Sequence, residues 1–225
     1  MADNRITKER VKNHFFYGWW KYVLAVVLCV FGIDMIFAMT AYRPPEDKKT
    51  EWFVLNGYMD AERMEQDFFP VIQSVCPEQE ALTVMSINLN SEDPYTRMQF
   101  TTYTAAGQGD MALMPANEWR RLSQEDVTDV FVDLTPYIQS GVIDVSGLDL
   151  TAYSRDGGIY GIPADGLGGL NAYGNDPRGS CLCIMAYSGN QDTAAAAIGR
   201  MLREFEGENT FSEKEDVMQE PIFSR

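Results

Sequence analysis

Gly109-Asp110-Met111-Ala112-Leu113-Met114 (GDMALM) is a short, nearly continuous apolar run, opened by a glycine and closed by Pro115. A run of this length without polar alternation reads as a strand buried on both faces, inside a parallel sheet covered by helices. The flanking sequence supports that reading. Upstream, residues 52–59 (WFVLNGYM) form a strand candidate ending in Asn56-Gly57. Asp60 then caps a helix whose Met64, Phe68, Ile72 and Val75 share one face, with Pro70 expected to kink or split it. Residues 81–89 (ALTVMSINL) are a second strand, and Pro94 opens a helix to residue 106 with Tyr95, Met98, Thr102 and Tyr103 near one face.

Downstream, Pro115 begins another helix, and Phe131-Val132-Asp133-Leu134 leads into a turn at Thr135-Pro136. Asp156-Gly157 supplies the positive φ angles of a tight hairpin within residues 153–162 (YSRDGGIYGI). Residues 164–180 hold five glycines and form an irregular connection. Residues 181–187 (CLCIMAY) are a last strand. Asp192 is then expected to cap a helix striped by Ala194, Ile198, Met201, Leu202 and Phe205 and stopped by Gly207. Strands alternating with helices through short links define an α/β fold on a mostly parallel sheet.

Residues 22–41 (YVLAVVLCVFGIDMIFAMTA) hold one charged side chain in twenty, enough helix to match a hydrocarbon core of about 30 Å. Tyr17, Trp19, Trp20 and Tyr22 at one end and Tyr42 at the other resemble interfacial aromatic belts. Arg5, Lys8, Arg10, Lys12 and Lys21 precede the run against Asp3 and Glu9, which predicts a cytoplasmic N-terminus. The apolar run is long and Met39-Thr40-Ala41 is a poor cleavage site, so a signal anchor is expected rather than a cleaved signal peptide. The organisation expected is a basic cytoplasmic tail (1–21), a single transmembrane helix (22–42), a linker (43–50), an extracellular α/β domain (51–207) and an acidic tail (208–225). Asp34 lies inside the span, where a charge costs about 2.5–3.5 kcal/mol, and its expected role is contact with another membrane helix.

Composition excludes several chemistries. After Tyr42 the chain carries 13 Lys+Arg against 30 Asp+Glu, which disfavours nucleic acid as a partner. The single histidine, His14, lies before the span, so a Ser-His-Asp triad, a Cys-His pair or a histidine-ligated zinc in the domain is ruled out. Gly107-Gln108-Gly109 lacks the third glycine of a dinucleotide loop and no GxxxxGK[ST] occurs; neither cofactor nor metal is expected. Cys76, Cys181 and Cys183 read first as small buried hydrophobes, with a Cys76 disulfide to either of the others as the alternative.

Three segments in order carry a resemblance. Gly109–Met114 in full, Asp133-Leu134-Thr135-Pro136-Tyr137-Ile138, and Asp156-Gly157-Gly158-Ile159-Tyr160-Gly161-Ile162-Pro163 are similar, in sequence and spacing, to segments of the extracellular solute-binding proteins of ABC importers, sugar-binding type. The resemblance implies a periplasmic-binding-protein-like lobe that binds a small solute such as a sugar and serves an importer permease, without catalysis. It also implies two lobes and a lipidated cysteine. Here the glycine-rich stretch 164–180 stands where a second lobe would begin and a membrane helix replaces the lipid anchor, so a reduced, one-lobe version is expected.

In open α/β sheets ligands bind beyond the carboxyl ends of strands. The residues expected there are Asn56, Asn88, Asn90, Asp110, Asn117 and Trp119, amides and a carboxylate for hydroxyls and an indole for an apolar sugar face. Tyr160 is added through the hairpin resemblance. The alternative function is a scaffold of a cell-envelope membrane complex that has lost ligand binding.

Overall fold

A computed structural model describes residues 8–90, 94–124 and 126–208; the acidic tail beyond Glu208 and the first seven residues fall outside them. The chain divides into two units, Met1–Arg43 and Pro44–Arg225. The first is a single helix, α1 (Lys8–Thr40), of which Gly18–Thr40 is long and apolar enough to cross a membrane.

The second unit is built on a five-stranded sheet of order β2-β1-β3-β7-β6. Strand β1 (Lys49–Leu55) is buried over six of its seven residues, β2 (Ala81–Ile87) alternates, and β3 (Met111–Pro115) is buried over its first four. These three run parallel. After the hairpin β4 (Ser154–Arg155) and β5 (Gly158–Ile159) come β6 (Ile162–Pro163) and β7 (Ser180–Ile184). Strand β7 runs antiparallel to both β3 and β6, so four of the five strands share one direction. The sheet is mixed, with a parallel core.

Chain order dictates the layers. The step from β1 to β2 goes one way across the sheet and the step from β2 to β3 goes back, so right-handed crossovers must put their helices on opposite faces. Accordingly α2 (Ala61–Val75) packs with α7 (Gln191–Glu204) over Trp52 and Val54, while α3 (Pro94–Ala105) and α4 (Ala116–Leu122) pack over Phe53 and Leu55. Two short helices, α5 (Val127–Val130) and α6 (Thr135–Gln139), follow.

Several boundaries differ from the expected ones. Helix α2 runs unsplit through Pro70, whose missing N–H leaves the rest of the ladder intact. Lys49 and Thr50, assigned to the linker, already pair with Ala81 and Leu82. The cap position of α7 is Asn190 rather than Asp192, whose carboxylate accepts from the Tyr137 hydroxyl at 2.8 Å. Helix α3 is turned away from the expected face: Phe100 is buried, whereas Tyr95 and Met98 are 69% and 64% exposed. Residues two apart stand roughly 200° apart on a helix, so α3 cannot bury both Met98 and Phe100. The edge-on contact of Phe100 with Phe53, 5.9 Å between ring centres, decides for the phenylalanine.

The hairpin forms as the sequence dictates, Asp156 and Gly157 having φ of 50° and 87°. All four cysteines are free thiols. Cys76 packs with the core on the α2–α7 face and Cys181 and Cys183 with that on the other, so the sheet stands between the pair a disulfide would need. At the outer strand, the backbone N–H of Val84 donates to the Glu65 carboxylate at 2.7 Å.

Candidate functional site

The strand order reverses between β1 and β3, and the carboxyl ends of these strands are where an open α/β sheet leaves a crevice. Strand β1 ends because Asn56 adopts φ +55°, a left-handed conformation that asparagine tolerates. Its N–H still donates to Ile87 O at 2.8 Å, and its side-chain Oδ1 accepts from Asn90 N at 3.0 Å. Asn88 Oδ1 accepts from the same N–H at 3.1 Å. The two strand-end loops are thereby tied, with Asn88 and Asn90 exposed.

A residue unremarked in the sequence completes this edge. Asn175, 3% exposed, donates through Nδ2 to Tyr58 O at 3.0 Å and abuts Gly57, where a Cβ would lie 2.8 Å from that nitrogen. Both amides have one atom buried without a hydrogen-bond partner, Nδ2 of Asn56 and Oδ1 of Asn175. Asn175 sits in the glycine-rich stretch, where no periodicity marks it. Tyr58, 68% exposed, follows Gly57, and Arg97 Nε donates to Leu89 O at 3.1 Å. Asn117, exposed in the first turn of α4, belongs to the end of β3.

The other expected residues lie elsewhere. Asp110 precedes β3 and therefore sits at the amino end of the sheet, opposite Asn56. It is 6% exposed and structural: Glu51 N–H donates to Oδ2 at 2.8 Å and the Ser188 hydroxyl to Oδ1 at 2.6 Å. Burial pushes its pKa up, against the bonds from Ser188, Glu51 N–H and Asn190, and the Glu51 charge adds to the rise. Glu51, itself paired with Lys49, accepts Gly109 N–H at 2.8 Å. An open hollow of about 270 Å³ adjoins this network, lined by Glu46, Asp47, Glu51, Gly107, Asp110 and Asn190. Among the described residues no group of His, Cys, Asp and Glu is arranged to hold a metal.

Trp119 is fully buried and offers no face to a sugar. Its ring stacks on Phe131 at 6.0 Å and meets Tyr153 edge-on at 5.1 Å, while Nε1 donates to Tyr160 O at 3.4 Å. Tyr160 is 6% exposed, its ring lying over Gly158. Asp34 is an exposed position of α1.

The three segments that carry the resemblance meet in space around the β3–β7 side. Leu134 N–H donates to Ile159 O at 2.7 Å and Ile159 N–H to Asp133 Oδ1 at 3.1 Å, joining the second to the third. Burial raises the Asp133 pKa, but the bonds it accepts from Thr135 and Ile159 outweigh that and hold it low. Val132 N–H donates to Ile184 O on β7, the strand that pairs with β3 of the first segment.

No protein-family model matches the sequence, and no curated protein matches it. Among solved structures, the chain is similar to a family 1 extracellular solute-binding protein of Alicyclobacillus acidocaldarius, at 17% identity and TM-score 0.36, covering 51% of this chain and 27% of that one. An ABC-transporter solute-binding protein of Agrobacterium vitis with bound D-mannitol matches at 20% identity and TM-score 0.36, covering 51% and 26%. A de novo designed cysteine esterase matches at 16% identity and TM-score 0.35, covering 52% and 28%. The matched part thus spans about a quarter of each of these longer chains.

Proposed function

We propose that the α/β domain stands outside a bacterial membrane, held by α1 with its N-terminus inside, and binds a small neutral polyhydroxylated solute without catalysis, in the service of an ABC importer. The observation that carries this reading is the pair of buried, unpartnered amide atoms at the carboxyl edge, a donor on Asn56 and an acceptor on Asn175. An unmet buried polar atom costs about 1–3 kcal/mol, and a solute that opens this edge meets both atoms with hydroxyls, which donate and accept. The exposed amides of Asn88, Asn90 and Asn117 extend the same chemistry, and the exposed ring of Tyr58 offers a face for stacking. The three motif segments, in the spacing of sugar-binding proteins, support the solute class and the importer.

The test is thermal unfolding of the full chain against neutral sugars and sugar alcohols. A ligand at one hundred times its Kd adds about 2.7 kcal/mol, roughly 5–11 °C for a domain of this size. Asn56→Gly keeps the left-handed backbone and leaves the Asn90 N–H its second acceptor on Asn88, so the variant should fold and lose the shift. A shift that survives this substitution, or no shift with any neutral polyol, overturns the reading.

A further inference from the structure

Helix α1 continues for ten residues ahead of Gly18, where the apolar stretch begins. At 1.5 Å per residue this adds about 15 Å of helix, more than the headgroup zone of one leaflet. Lys8 and Lys12, four residues apart and hence on one face, are exposed there. Lys21 is exposed three residues into the stretch, where its long stem reaches back to the headgroups. Arg5 and Arg10 belong to the same segment of sequence. Trp19, Trp20 and Tyr22, each at least half exposed, mark the level of the interface.

We propose that Lys8, Lys12 and Lys21 form a docking surface for anionic phospholipid headgroups on the inner leaflet. The inference rests on the reading of α1 as a membrane anchor. Charge complementarity selects the occupant: each basic residue near an anionic surface strengthens binding about fivefold, and the effect fades within a Debye length of about 10 Å. Lys12, about 9 Å from Gly18 along the axis, lies inside that range. The rest of the chain is net acidic and on balance repels anionic lipid.

Tryptophan quenching reads the prediction directly. Trp52 and Trp119 are fully buried in the domain, so lipid-borne quenchers reach Trp19 and Trp20. The full chain is reconstituted in phosphatidylcholine vesicles containing a minor fraction of brominated phosphatidylglycerol or, in parallel, of brominated phosphatidylcholine. Brominated phosphatidylglycerol should quench about twofold more or better, and raised salt should shrink the excess. The combined Lys8→Gln, Lys12→Gln, Lys21→Gln variant should shrink the excess markedly while both lipids still quench. Equal quenching of the wild-type chain, or an excess untouched by the triple variant, overturns the proposal. Quenching by neither lipid refutes the anchor itself and the proposal with it.

Discussion

Gly109→Ala is the substitution whose cost can be worked out most fully. Gly109 has φ +93°, and a Cβ built there lies 2.0 Å from Cε2 of Phe53 and under 3 Å from two further atoms of the same ring. That ring cannot step aside freely, because it meets Phe100 edge-on and Tyr103 face-on at 6.1 Å. An L-residue in a left-handed conformation costs about 1–2 kcal/mol, and overpacking a filled core about 1–3 kcal/mol more. The sum, about 2–5 kcal/mol, lowers the melting temperature by roughly 4–20 °C in a domain of this size. Gly107→Ala is the internal control: φ is +73° but no atom lies within 4 Å of the added Cβ. It should lose only the backbone part, roughly 2–8 °C. Thermal unfolding of the full chain followed by near-ultraviolet circular dichroism compares the two. If Gly109→Ala melts with Gly107→Ala, or with the wild type, the close approach of Gly109 to Phe53 does not exist as described.

Two further predictions concern ionisation. Burial holds the Asp110 pKa above its ordinary value, so the protonated form is favoured on folding; that contribution is full below the unfolded pKa and is lost as pH rises through the folded one. Asp110→Asn, which offers one acceptor and one donor to Glu51 N–H and Ser188, should therefore gain on the wild type from about pH 4 upward, and a stability difference independent of pH would contradict the assignment. Burial likewise pushes up the thiol pKa values of Cys181 and Cys183, so a water-soluble maleimide should label Cys76 in the native protein and reach the β7 pair only after denaturation. Native labelling at Cys183, counted by peptide mass, would refute the burial.

Local chemistry made much of the architecture legible. The apolar run before Pro115, the Asp-Gly hairpin and the stripe of Ala194, Ile198 and Met201 each follow from residues close in sequence, and each forms as read. What stayed hidden depends on tertiary partners. Nothing in the chain around Tyr95 says that Phe53 waits on one side of α3 and captures Phe100. Trp119 reads as an exposed platform until Phe131 and Tyr153 close over it. Asp110 lies away from the expected edge for a geometric reason: it precedes its strand, and chain polarity puts such a residue at the opposite end from one that follows. Asn175 lies more than a hundred residues from Tyr58, to which it bonds, and only the folded chain brings its unmet oxygen to the edge where Asn56 ends β1.

The Glu65 carboxylate on the Val84 amide has a consequence for how such molecules coexist. The outermost strand of an open sheet invites a neighbour to zip alongside. An incoming strand would have to dislodge that carboxylate from the middle of the ladder and then sit beside its negative charge. One glutamate from the adjoining helix thus works as a stopper, letting neighbouring copies collide while each sheet remains at five strands.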